Sequence, residues 1–265
     1  MPDNLFEIRQ RINAAAETRK ITRTMELVAS SRLQRSKQQL AAFAPTLRHL
    51  EQASACLPET YFSPLPECCG KPAFLVFAGT KGLSGAYGTT LLRFAAERVP
   101  GAVILAVGSA AAAEYPDAQF CFGDDAPSPA FARTLLNTAE TLCQSGKASE
   151  VQLIYTKGYT PVTKRLFPLP EPASADAAEA LILEPSPRAL YPALYSAYAR
   201  AILYEAHLQA YTAEQVARVA AMDHATRNAG DIINELQAEY NRIRQASITA
   251  EIIMVSGAAN ATGGD

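Results

Sequence analysis

Apolar positions recur every three or four residues at both ends of this 265-residue chain and form short continuous runs in its middle. From Thr212 to Gly257 there is no Pro, and Gly230 is the only Gly before the end. Alternating steps of three and four give Val219, Met222, Thr226, Ala229, Ile233, Leu236, Tyr240, Ile243, Ser247, Ala250 and Met254. Such a heptad-like stripe predicts a coiled-coil helix. It would be about 70 Å long, more than a small domain can bury, so it must lie against another element. At the other end, Asp3 or Asn4 can cap a helix that meets no Pro or Gly before Pro45. Leu5, Ile8, Ile12 and Ala15 form one side of it; Ile21, Met25, Val28 and Arg32 continue that side after a slip of register. Leu40, Phe43, Leu47 and Leu50 form a stronger stripe, and the period survives Pro45 to about Ala55, so Pro45 permits a kink without ending the helix. The economical arrangement wraps the two terminal helices on each other, antiparallel, with a domain inserted between them.

The middle has a different period. Leu57 to Pro72 holds four prolines and a glycine and reads as a linker. Ala73–Gly79, Ala102–Val107, Gln119–Phe122 and Val151–Tyr155 are short apolar runs of strand type. A fifth extended run from Gly158 to Phe167 is placed to form a hairpin with the fourth, and Ala180–Leu183 is a further apolar run. Helical stretches from Ala86 to Arg98, from Gly108 to Tyr115 and from Ser128 to Gln144 fall between the strands. This alternation predicts a small, mainly parallel α/β sheet of about 110 residues. The expected organisation is α/β: a terminal helix over 1–57, a Rossmann-like α/β domain over 73–184, and a second long helix over 188–258.

Composition and charge narrow the function. Nearly half the residues are apolar, enough for a real core, and a net charge of −2 does not point to nucleic acid or an anionic membrane. The charge is unevenly spread: residues 1–40 carry eight basic side chains against four acidic ones, so an acidic partner surface is expected near the N-terminus. Five Cys without a C-x-x-C pair favour thiols in a reducing compartment. No run reaches about 18 apolar residues, and the first 20 residues lack a signal-peptide core, so a protein that stays inside the cell without inserting in a membrane is expected.

The one stretch that suggests chemistry is Gly79-Thr-Lys-Gly-Leu-Ser-Gly-Ala-Tyr-Gly88, glycine-rich and set between a strand and a helix, where phosphates bind. Its spacing fails both phosphate patterns. Gly85 is followed by Ala86 and Tyr87, not Lys and Ser/Thr, and Lys81 stands where the dinucleotide motif needs its second Gly. A tight turn needing glycine backbone angles is the better reading. His49, His207 and His224 have no second ligand at helical spacing, and Asp124-Asp125 reads as a solvated turn. No cofactor, metal or catalytic residue is expected, and the chain reads as a moving or binding part.

The ends become specific when read as motifs. Ile8-Arg-Gln-Arg-Ile12, Thr18-Arg-Lys-Ile-Thr22, Met25-Glu-Leu-Val-Ala29 and Ser31-Arg-Leu33 resemble the start of the F-type ATP synthase gamma subunit. Glu214-Gln-Val-Ala-Arg218, Met222, Ala225-Thr226, Asn228-Ala-Gly230, Tyr240-Asn241, Arg244-Gln-Ala-Ser-Ile-Thr249, Glu251 and Ser256-Gly-Ala258 are similar to its end. Gly82-Leu-Ser-Gly85 resembles the family's G-L-C-G, so the likeness spans nearly the whole chain. It departs at Thr80-Lys81, where the family has Asp-Arg, at Ser84 for Cys, and at Thr24 for Ala.

The resemblance implies a central rotor shaft of bacterial type on the cytoplasmic face of the inner membrane. The paired helices would enter a ring of alpha and beta subunits, and the α/β domain would stand near the epsilon subunit and the c-ring. Catalysis would reside on the beta subunits. Arg244, Gln245, Thr249 and Glu251 match polar positions that contact the ring, and Met25 matches a position near an acidic beta-subunit loop. On charge alone, Arg9, Arg32, Arg35 and Lys37 are expected to face that loop. The competing readings are an α/β ligand-binding protein with a coiled-coil oligomerisation arm, and a static coiled-coil adaptor.

Overall fold

A computed structural model describes residues 2–55, 70–79, 82–122, 126–169, 184 and 186–262. The linker from 57 to 69, Thr80-Lys81, Asp124-Asp125, the run at 180–183 and the side chains of four of the five Cys lie outside the described residues, while Lys71 and Pro72 at the linker's end belong to the first strand; Cys143 is buried. Helix α1 runs from Pro2 to Ala55 and passes through Pro45. Five strands and three shorter helices follow: β1 (Lys71–Phe77), α2 (Tyr87–Ala96), β2 (Val103–Val107), α3 (Ser109–Glu114), β3 (Phe120–Phe122), α4 (Pro129–Gln144), β4 (Ala148–Lys157) and β5 (Thr160–Phe167). Helix α5, from Pro187 to Thr262, closes the chain.

Two compact units divide these elements: residues 1–28 with 219–265, and residues 29–218. The division cuts through both long helices.

In the larger unit the strands make one sheet in the order β3-β2-β1-β4-β5. The first four are parallel, and β5 pairs antiparallel with β4 through a hairpin whose Gly158 has φ +64°. A side chain there would be strained, which is why a glycine makes that turn. Both sheet faces are covered, so β1 is apolar without alternation, as expected of a parallel strand. Its side chains still alternate by face. Leu75 and Phe77 pack with Leu105, Leu153, Leu135 on α4 and Ile202, Leu203 and Ala206 on α5. Phe74 and Val76 face the opposite way, toward Leu91 and Ala95 of α2 and Ala111 of α3. At the start of α4, the Ser128 side chain accepts a hydrogen bond from Phe131 N at 3.1 Å, and Pro129 follows, so the sequence sets the helix start by a cap and a preset φ. The first stretch of α5 is thus a core helix of the α/β domain as well as part of the long pair.

Candidate functional site

The features that could do work are the surface of the helix pair and its tip. In the smaller unit, Leu5, Ile8, Ile12, Ala15, Thr22, Met25 and Glu26 are the positions of α1 withdrawn from solvent. On α5 the withdrawn positions include Met222, Thr226, Ala229, Ile233, Leu236, Tyr240, Ile243, Ser247 and Ala250, the expected stripe. Thr226 Oγ1 donates to Thr22 Oγ1 at 2.9 Å, and the Arg19 guanidinium lies over Gly230, where an added Cβ would stand 3.9 Å from its Cζ and Nε. The partner position on α5 rises as that on α1 falls, so the pair is antiparallel. In the larger unit the same sense holds: Phe43 meets Tyr204 edge-on at 4.8 Å, and Tyr198 Oη donates to Glu51 Oε1 at 3.4 Å.

One expectation about this seam fails. Ile21 and Val28 are 58% and 47% exposed, so the slip of register after Ala15 does not occur. Alternating steps of four and three run on unbroken through Arg19, Thr22, Glu26, Ala29, Leu33 and Ser36 to Leu40 and Phe43, and all but Arg19 are at least partly buried. Polar side chains occupy the seam there, and hydrophobicity alone pointed to the wrong face. The far end of the expected α5 stripe also fails: Met254 is 71% exposed, alongside exposed Ile248, Ile252, Ile253 and Val255.

The residues singled out from sequence lie on this surface. Arg9, Arg35, Lys37, Arg244, Gln245, Thr249 and Glu251 are exposed; Met25 and Arg32 are half-buried at the edge of the seam. Thr249 Oγ1 donates to Gln245 O at 2.9 Å, which leaves its lone pairs, not its proton, for a partner. Helical spacing puts Arg244, Ile248, Glu251, Ile252 and Val255 along one face. The tip therefore offers charges of both signs set among aliphatic groups.

The glycine-rich stretch sits at the carboxyl end of β1, between β2 and β4, where doubly wound sheets hold their ligands. Here α5 fills that place. Gly79 approaches Glu214 so closely that a Cβ would lie 2.8 Å from its Cδ, and Tyr87 Oη donates to Ala210 O at 3.0 Å. Glu214 pairs with Arg218 one turn on, and their side chains are 4% and 7% exposed. Burial, and then the Glu214 carboxylate, push the Tyr87 hydroxyl well above its usual pKa, with Thr156 and Arg218 opposing. His207 packs 5.5 Å from the Phe77 ring and 5.1 Å from that of Phe131, and burial lowers its pKa to about 4. Glycine at 79 serves close approach to Glu214, while Leu83 carries a positive φ of 68°. Sequence reasoning quoted Glu214 and Arg218 as motif letters without reading them as a buried pair; their i, i+4 spacing on a small-residue helix face was the available signal. Among the described residues no group of His, Cys, Asp and Glu could hold a metal, and no helix is long and apolar enough to cross a membrane.

The family model described as ATP synthase matches residues 4–262. The ATP synthase gamma chain of Moorella thermoacetica is 32% identical over 279 residues, covering 97% of this chain and 99% of that protein. The chain belongs to the ATP synthase gamma-chain family. A second gamma chain, from Symbiobacterium thermophilum, is 31% identical over 289 residues and covers both chains completely. Among solved structures, a chain of the Euglena gracilis mitochondrial ATP synthase OSCP/F1/c-ring assembly matches with a TM-score of 0.73 at 18% identity, covering 99% of this chain and 95% of that one. The rotor of the same enzyme gives 0.68 at 15% identity, covering 94% and 100%. These structural likenesses speak for the gamma-chain fold: long terminal helices packed together around an α/β insertion.

Proposed function

We propose that this gamma-family chain is the central rotor of a bacterial F1Fo ATP synthase, coupling ion flow through a membrane sector to the conformational cycle of catalytic beta subunits. The observation that carries the reading is the antiparallel helix pair whose seam is thinned by Thr22, Ala29, Ser36, Thr226, Ala229 and Ser247 and whose tip is left uncovered. Small seam residues let two helices approach closely and keep the shaft slim. The chain itself needs no nucleotide, because α5 occupies the crevice where an α/β sheet would bind one.

In this reading the tip residues Arg244, Gln245, Thr249 and Glu251 grip the alpha and beta subunits, with the aliphatic groups around them forming the sliding surface. Met25, Arg9, Arg32, Arg35 and Lys37 meet an acidic beta-subunit loop, with the exposed ion pairs of Arg9, Arg35 and Lys37 each worth about 0–1 kcal/mol and therefore able to form and break during rotation. The α/β domain stands toward the epsilon subunit and the c-ring, on the cytoplasmic side of the membrane. The test is reconstitution. The chain mixed with the alpha and beta subunits of the same organism should give a particle of three alpha, three beta and one copy of this chain that hydrolyses ATP. Failure to form that particle, or tight binding of ATP by the isolated chain, overturns the reading.

A further inference from the structure

The helices of the larger unit leave a gap where α1, α4 and α5 meet. It is an open groove with a volume of about 360 Å³. The gap has a simple origin in sequence. Ala130 and Ala132 of α4 face Ala197 and Ala201 of α5, so no side chain is large enough to fill the space. Phe43 and Leu50 of α1 and Tyr204 of α5 complete apolar walls. The volume lies at the lower end of small-molecule pockets, about 300–1,000 Å³, and suits one short tail rather than a pair of acyl chains.

Charge selects the head group. The charged side chains lining the cavity are Arg133 and Arg200, both cationic. Arg200 Nε donates to Ser196 O at 3.1 Å, and no hydrogen bond from its terminal nitrogens is found among the described residues. The acidic group that senses Arg200 is Glu140, further along α4 and outside the lining; burial pushes its carboxyl up while Arg200 pulls it down. Pro129 and Ala130, in the first turn of α4, also line the cavity, so the positive end of that helix dipole adds to the two arginines. An open apolar groove whose charged lining residues are both cationic is complementary to an anion carried on a hydrocarbon tail. We propose that this cavity binds a single-chain anionic amphiphile of the free fatty acid class, its carboxylate on Arg200 and Arg133 and its tail among the alanines.

The probes are decanoate, decanol and acetate, titrated calorimetrically into the full-length chain below the micelle concentration. Decanoate should bind saturably with one site, and decanol and acetate at least tenfold more weakly. Arg200→Gln should weaken decanoate about tenfold and leave decanol unchanged. Ala197→Leu fills the chamber and should abolish binding with the melting temperature unchanged or raised; Ala130→Leu fills it from α4 and replaces the first variant should that fail to fold. Equal affinity for decanoate and decanol, or retention of binding with the chamber filled, overturns the proposal. So does capture by vesicles of anionic diacyl phospholipid that competes with decanoate, which reassigns the arginines to a membrane surface. Loss of the alpha–beta particle in Ala197→Leu without any decanoate binding by the unaltered chain gives the cavity to a protein partner, and also overturns it.

Discussion

Replacing Gly79 by alanine should disturb the buried Glu214–Arg218 pair without touching either residue. The new methyl would stand 2.8 Å from Glu214 Cδ, 3.0 Å from its Oε1 and 3.2 Å from its Cγ. Carbon atoms in ordinary contact are about 3.5–4.0 Å apart, so the carboxylate has to retreat by roughly 1 Å. It has nowhere wet to go, because its side chain is 4% exposed and that of Arg218 7%. Overpacking by a methyl costs about 1–3 kcal/mol, and separating a buried ion pair carries losses toward about 3–5 kcal/mol. Gly79 does not adopt a left-handed φ, so alanine adds no backbone strain. We expect Gly79→Ala to destabilise the chain by about 2–3 kcal/mol. Urea unfolding of the full-length chain, followed by far-UV ellipticity, measures it from the midpoint and slope. The decisive arm is the Glu214→Ala background. That variant is itself destabilised, since Arg218 keeps its charge in a buried place without the carboxylate, but the atoms the methyl strikes are gone. There Gly79→Ala should cost under about 0.5 kcal/mol, and the difference is the coupling between loop and helix. The same cost in both backgrounds would refute the argument, because the loss would then come from the loop backbone and not from the pair.

His207 should make stability pH-dependent. Its folded pKa of about 4 lies below the unfolded 6.5, so its contribution is full above pH 6.5 and is lost as pH falls toward 4, by roughly 3 kcal/mol. His207→Phe should flatten that part of the curve in urea titrations between pH 4 and 7, and an unchanged slope would show that other groups cause it. In the seam, Thr226→Val should cost about 0.5–1 kcal/mol, since Thr226 Oγ1 lies within reach of both Met222 O and Thr22 Oγ1 while Thr22 Oγ1 keeps Arg19 O as an acceptor, and the double variant with Thr22→Val should lose less than the sum of the two singles. Thermal melts of the three variants decide this; a double variant worse than the sum of the singles would contradict it. In the reconstituted particle, Arg244→Glu should lower torque coupling, read as ATP-driven ion pumping per ATP hydrolysed, while assembly yield stays normal. Equal loss of both would count against a gripping role for Arg244.

The elements were largely legible because their periods differ. A parallel strand covered on both faces reads as an unbroken apolar run, and Ser128-Pro129 announces α4 by its cap. The antiparallel pairing of α1 with α5 was also legible, since two helices too long to bury alone must find each other. The middle of the α1 seam was not. Thr22, Glu26 and Ser36 face inward while Ile21, Leu27 and Val28 face water, the reverse of what a hydrophobicity count expects. A reading that kept the interval and ignored the residue type would have found the seam, because steps of four and three never break from Leu5 to Leu50. The switch-point packing was hidden for another reason: Gly79 and Glu214 are 135 positions apart, and only the sheet order brings them together.

That exposure of apolar groups and burial of polar ones bears on what the helix pair is for. An ordinary coiled coil places its aliphatic residues in the seam and its polar ones outside, because its sole partner is the other helix. Here Ile21, Leu27 and Val28 on α1, and Ile248, Ile252 and Ile253 on α5, are left in solvent while hydroxyl groups hydrogen-bond between the helices. Aliphatic surface left on the outside of a pair is stable only if something else covers it for most of the protein's life. The ring of the proposed function would meet that need, and aliphatic contacts would suit a ring that slides, because they are non-directional and lose little when one side chain moves past the next. The Thr226–Thr22 hydrogen bond serves the complementary requirement of the proposed rotor: it links the two helices at one register, as a pair meant to turn together would need.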